Sequence, residues 1–331
     1  MTDNATPQLH GTPHGSTRLE NLPVTFFASV MGLAGVALSL HLAETRFGWG
    51  HMASRAALAL TIAVFIGVTL AYALKALRHP GAVGEEWHHP VKLAFFPAIS
   101  ISLLLMATAL RPEAPAAALA LWLPGVALQG ALTLAVISGW IGRRPFQPMH
   151  ISPAWFIPAV GNVVVPVAGV PMGFPEISWM FFSVGVIFWL VLLTLVMNRL
   201  TFHDPLPGRL LPTLVILIAP PAVGFLAWLQ LNGGVLDAFA RVLYNAALWF
   251  AAIALIQVKG VLRIPFALSF WALSFPVAAL TLATMRYADL SGSIVHDRAG
   301  TSLLCVLLVV VAALVFRTIK AIARSEICLP E

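Results

Sequence analysis

Polar residues dominate the chain as far as Leu22, and from there ten long apolar runs alternate with short polar joins. The runs fall near 24–42, 55–77, 92–110, 116–142, 153–172, 176–199, 209–231, 236–258, 264–289 and 299–324. Inside them apolar residues follow one another without the alternation of a half-buried strand or the one-sided period of a surface helix. A hydrocarbon core of about 30 Å takes roughly twenty residues of helix to cross. The pattern therefore predicts an all-α membrane protein of ten transmembrane helices. The joins after Leu110 and Gly173 are short enough to make their flanking helices antiparallel neighbours, and an even count puts both termini on one face.

The joins also orient the chain. On the face with the termini lie Arg18, Lys75, Arg78, Lys92, Arg143, Arg144, Arg199, Arg209, Lys259, Arg263, Arg317, Lys320 and Arg324, thirteen in all. The opposite face has six: Arg46, Arg55, Arg111, Arg241, Arg286 and Arg298. Basic residues beside span ends are retained in the cytoplasm, so both termini are expected inside.

Proline divides the runs by parity. Pro97 falls in the third, Pro158 and Pro166 in the fifth, Pro220 and Pro221 in the seventh and Pro276 in the ninth; among the even runs only the fourth has one, Pro124. An interior proline kinks a helix and frees a carbonyl, which lipid cannot satisfy, so the odd helices are expected to face inward. Their starts, near 24, 92, 153, 209 and 264, recur every 55 to 68 residues, as five helical hairpins forming weak internal repeats would.

Composition narrows the function. Of 331 residues 60% are apolar and 10% charged, which excludes a soluble domain. The net charge of +6 has no soluble basic domain to carry it, so lipid and not nucleic acid is the expected partner. Residues 1–22 lack the basic-then-apolar order of a cleavable signal and read as a disordered tail; 23–325 form the membrane domain and 326–331 a second tail. His10 and His14 in the first tail are without ligand company, and Cys305 and Cys328 lie in environments too different for a disulfide.

Candidate chemistry is sparse. The segment GEEWHHPVK brings Glu85, Glu86, His88 and His89 together, but adjacent histidines in a loop lack the i, i+4 spacing of a helical ligand pair, so an interfacial role is expected there. No nucleophile–base set is present, and no enzyme activity, cofactor or metal is expected. No Asp or Glu lies deep in a run, which favours passive conduction over proton or sodium coupling. Coupling through backbone carbonyls or through Asn162 and Asn245 is the alternative.

In the ninth run, RIPFALSFWALSFPVAALTLATMRYADL, a 100° wheel aligns Leu268, Ala272, Phe275, Ala279, Leu282 and Arg286. A bulky ring sits between two alanines beside Pro276, with a cation about 16 Å further toward the outer end. Such a stripe either lines a narrow pore stopped by one aromatic or packs a knob into a groove, and taken alone the residues favour packing.

The segment FWALSFPVAALTLATMRYA resembles the ninth helix of the tellurite-resistance and dicarboxylate-transporter family, which includes the plant guard-cell slow anion channels. LPVTFFASVMGLAGVALSL, HHPVKLAFFPAIS and SPAWFIPAVGNVVVP extend the resemblance over roughly residues 20–325. It implies an inner ring of odd helices around a pore, an outer ring of even helices, and a homotrimer in a bacterial inner membrane with one pore per protomer. It also implies that Phe275 is the pore gate. With that, Leu268, Ala272, Ala279, Leu282 and Asn162 become pore-lining candidates, Pro97, Pro166, Pro220, Pro221 and Pro276 helix-kink prolines, and Arg286 the outer-mouth cation. Family members move chloride, nitrate, dicarboxylates such as malate, or sulfite, or confer tellurite resistance. A channel or channel-like transporter for small anions is the expected function, with a coupled carrier or exporter of C4-dicarboxylates, sulfite or tellurite as the alternative. Asn162 followed by VVVP is closer to the dicarboxylate-transporter type.

Overall fold

A computed structural model describes residues 18–142 and 146–328. The ten runs become α1 (Val24–Phe47), α2 (Met52–Arg78), α3 (Lys92–Leu110), α4 (Pro115–Ile141), α5 (Pro153–Gly169), α6 (Pro175–Phe202), α7 (Gly208–Leu231), α8 (Ala238–Val261), α9 (Leu268–Ser291) and α10 (Ile294–Ala323). Among the described residues nine of these are long and apolar enough to cross a membrane, and α5 is apolar but shorter. It ends before its expected boundary because Gly173, at φ 91°, lets the Phe174 N–H return to the Gly169 carbonyl at 2.9 Å. His10, His14, Arg143 and Arg144 lie outside the described residues.

Two expectations need correction. Residues 18–22, assigned to a disordered tail, form a turn whose Leu22 carbonyl accepts a hydrogen bond from Lys75 Nζ at 2.9 Å, and Arg18 donates to Ser325 Oγ. The GEEWHH segment, read as a loop, lies mostly in a short helix, Pro80–His88, linking α2 to α3.

Packing separates the helices into two layers. The odd helices close a ring, with α1 against α3, α3 against α5, α5 against α7, α7 against α9 and α9 back against α1. Each even helix rests in the groove between two ring members: α2 on α1 and α3, α4 on α3 and α5, α6 on α5 and α7, α8 on α7 and α9, α10 on α9 and α1. In the apolar stretches of α1, α3, α7 and α9, 67–72% of residues are buried, against 17–33% in the even helices. What the even helices leave outside is greasy: Leu70, Leu134, Ile187, Leu255 and Val309 are each more than 60% exposed. That surface suits hydrocarbon as its solvent and would aggregate in water.

Ring closure between α1 and α9 depends on small residues. A Cβ on Gly32 would collide with the Ser274 side chain, and one on Gly35 would stand 2.5 Å from the Ala278 Cβ. At the C-terminal end of α1 Arg46 fastens it to α9 through Asp289 at 2.9 Å and to α10 through Asp297 at 2.5 Å. Replacing Gly32 by Leu should force the two helices apart at a cost of about 1–3 kcal/mol or more, as overpacking does. A clear drop in the thermal midpoint of the detergent-solubilised protein checks this; a parent-like melt would contradict the close approach.

Candidate functional site

The ring helices share one irregularity. Each begins in 3₁₀ winding, over Val24–Phe26, Lys92–Phe95, Pro153–Trp155, Gly208–Ile218 and Leu268–Leu273, and then becomes α-helical at Phe27, Ala98, Phe156, Ala219 and Ser274. The even helices are α-helical throughout. Prolines explain much of this. Pro97 directly precedes the α-helical part of α3, Pro220 and Pro221 fall in its first turn in α7, and Pro276 is its third residue in α9. There the missing N–H costs little, because the first turn of an α-helix leaves its N–H groups free. At these four positions proline thus marks a change of winding at a helix start, whereas Pro166 does lie inside the α-helical part of α5.

Hydroxyls take up the carbonyls that the change of winding disturbs. Ser29 donates to the Phe26 carbonyl at 2.7 Å, Ser100 to Pro97 at 2.9 Å and Ser274 to Trp271 at 2.6 Å, and within the 3₁₀ stretch of α7 Thr213 donates to Leu210 at 2.6 Å. In lipid such partners must come from within the protein.

At the level of these junctions a cavity of about 30 Å³ lies on the ring, and every odd helix contributes to its wall. Met31 comes from α1, Ile101 from α3, Val160 from α5, Ile216 from α7, and Ala272 and Phe275 from α9, all within four residues of a junction. The wall is hydrocarbon and aromatic ring; Trp271, which also lines it, turns its indole N–H away to Thr318 of α10 at 2.9 Å. The space admits roughly two waters. It is too small for a hydrated anion, and the Phe275 side chain on its wall is 7% exposed.

Of the residues on the ninth-helix stripe, Ala272 and Phe275 reach the cavity, as does the adjacent Pro276. Leu268 is half-buried and packs with the Trp271 and Ala278 side of α9. The reason is winding: Leu268–Leu273 is 3₁₀, with three residues per turn, so a 100° wheel loses phase across it. Ala279 is buried further along α9 and Leu282 is half-buried, neither on the cavity wall. Arg286 is exposed and stands 3.8 Å from Asp289, which offsets part of its charge.

Asn162 faces away from the cavity. Its amide donates to Thr133 Oγ1 at 3.0 Å and to the Pro158 carbonyl at 2.7 Å. Gln129 joins this group, donating to Thr133 and to the Pro158 carbonyl, both at 3.0 Å, and accepting from Ser100 at 2.7 Å. The cluster knits α3, α4 and α5 together, and Gly161 leaves room for it, since a Cβ there would strike Gln129. Gln129, a lone glutamine in the fourth apolar run, is not among the expected site residues, although a polar amide in such a run is a visible signal. Asn245 donates to the Arg241 carbonyl of its own helix. Among the described residues no three His, Cys, Asp or Glu are grouped to hold a metal ion. Replacing Gln129 by Leu should cost about 1–3 kcal/mol, because it strips buried polar groups of partners. A thermal midpoint equal to the parent's would show that the cluster is not stabilising.

Comparison with known proteins adds an independent line. A family model described as voltage-dependent anion channel matches residues 21–319. The chain is 30% identical over 262 residues to the S-type anion channel SLAH3 of Arabidopsis thaliana, covering 77% of this chain and 40% of that protein. It is 25% identical over 309 residues to a tellurite resistance protein TehA homolog of Haemophilus influenzae, covering 92% of each. An uncharacterized transporter of Methanocaldococcus jannaschii is 23% identical over 334 residues, covering 93% of this chain and 97% of its own length. The chain thus spans less than half of the plant relative and nearly all of the microbial ones.

Proposed function

The chain belongs to the SLAC1 family of anion channels and transporters, as a multi-pass membrane protein, and from that premise we propose that it passes small anions along the axis of its odd-helix ring, with Phe275 as the gate. One observation carries this reading: a single apolar cavity to which α1, α3, α5, α7 and α9 all contribute, with the Phe275 ring on its wall. A bore of this kind offers nothing to replace a hydration shell, so weakly hydrated anions such as nitrate and chloride pass best. Attraction comes from the ends. The inner helices run parallel, so their positive dipole ends gather on the face that also has the excess of basic residues. Arg286 adds a cation at the outer mouth, reduced by Asp289.

A rotamer change of the Phe275 ring costs on the order of 1 kcal/mol, so it needs no large helix motion. Replacing Phe275 by Ala should raise chloride flux into liposomes at least about tenfold, equivalent to some 1.4 kcal/mol. The fold should survive, because the buried ring already borders a cavity and its removal enlarges that space without emptying a fully packed site. An Ala variant that folds and stays as closed as the parent to chloride and nitrate would return Phe275 to the packing residues.

Likeness to the tellurite resistance homolog over 92% of both chains favours a second reading, a coupled carrier or exporter of dicarboxylates, sulfite or tellurite. Steady ohmic current supports the channel; saturable uptake of labelled malate without current supports the carrier. The assembly proposed is a homotrimer with one pathway per protomer in a bacterial inner membrane, both termini cytoplasmic. Green fluorescent protein fused after Glu331 should fluoresce, whereas active alkaline phosphatase at the same site would reverse the topology.

A further inference from the structure

The helix Pro80–His88, formed by a motif the pore does not use, turns one carboxylate inward. Glu86 Oε1 accepts the Val24 N–H at 3.2 Å, while Oε2 accepts the Tyr72 hydroxyl at 2.8 Å and pairs with Lys75 Nζ at 3.1 Å. Lys75 Nζ also donates to the Leu22 carbonyl at 2.9 Å. The two charged side chains are 2% and 6% exposed. Between them they hold the carbonyl before Pro23 and the amide after it, so the chain entering α1 is clamped on both sides. Val24 is the first residue of α1, and its N–H is one that no helical carbonyl could satisfy.

The same region grips α3. Trp87 meets Phe96 edge-on at 4.9 Å, and Tyr72 meets Phe96 at 6.5 Å and Phe27 at 6.0 Å. Phe27 and Phe96 are chain neighbours of Ala28 and Phe95, both on the cavity wall. The N- and C-terminal segments meet each other on this face through Arg18 and Ser325. Stability alone does not call for such an arrangement, since a buried ion pair repays its desolvation poorly against apolar residues of the same volume.

We propose that Lys75 and Glu86 form a latch: they position the start of α1, and so one part of the cavity wall, making the Pro80–His88 helix a lever on the pore. The proposal rests on the pore reading above. The latched position of α1 is the occluded one, so release raises passage.

The test is chloride efflux from liposomes containing the purified full chain. Lys75→Ala/Glu86→Ala, which removes both charges and leaves neither buried alone, should raise efflux about fivefold or more, the scale of a modest coupling. In a Phe275→Ala background the same pair should add little, because the occlusion is already gone; a merely structural role would lower efflux and yield in both backgrounds. Tyr72→Phe removes one hydrogen bond and spares the ion pair, so it stands in if the double variant does not fold, with an expected rise of about twofold. Efflux equal to the parent's in the folded double variant, or in Tyr72→Phe if the double is lost, overturns the latch. When Phe275→Ala conducts and the double variant matches the parent, the latch alone has failed; a silent Phe275→Ala beside a raised double variant supports the latch and places the failure in the gate.

Discussion

Hydrocarbon offers no hydrogen bonds, and that constraint organises the molecule. A regular α-helix satisfies its own backbone, so the even helices can stand at the lipid boundary with Leu70, Leu134 and Leu255 exposed. A helix that changes from 3₁₀ to α winding disturbs its carbonyls, and needs neighbours to take them up. Among the described residues every helix that changes winding belongs to the ring, and Ser29, Ser100 and Ser274 bond back to carbonyls at or near the transitions, while Thr213 does so inside the 3₁₀ stretch of α7. The two layers follow: irregular helices inside, regular ones outside as insulation. The cavity lies where it does because the irregular stretches coincide in depth, and side chains leaving them converge on the axis.

Much of this was readable from the chain. Run lengths gave the helices, and proline parity separated inner from outer with one exception, Pro124, which lies inside the outer helix α4 and is exposed. The details that failed did so for physical reasons. A wheel assumes one winding throughout, so Leu268, on the 3₁₀ side of Ser274, was assigned a direction it does not have. Asn162 lies on a ring helix, but which side it faces depends on Gln129 and Thr133 across the α4 interface, and hydropathy carries no such information. Glu86 looked like one more charge at an interface. Its partners Tyr72 and Lys75 come from α2 and Val24 from the start of α1, an assembly that hydropathy does not reveal.

The proposed function joins a narrow apolar bore to charged ends. An ion crossing such a bore sheds water with little in return, so selectivity falls to the cost of dehydration, and control falls to whatever moves the few side chains that fill the space. In this proposal Phe275 would act from within the wall and the Lys75–Glu86 pair from the face with the termini, by holding α1 where the wall is closed.

The most direct measurement asks whether anions travel past the junctions of the inner helices. Cys305 and Cys328 would first be replaced, and single cysteines then placed at Ala219, on the cavity wall in α7, and at Ile187, on the lipid face of α6, in a conducting Phe275→Ala protein. An anionic, membrane-impermeant thiol reagent should modify the first and abolish chloride flux, and leave flux in the second unchanged. Flux that persists after full modification at position 219, or a cysteine there that never reacts while chloride passes, would mean that the anion path does not run through this ring.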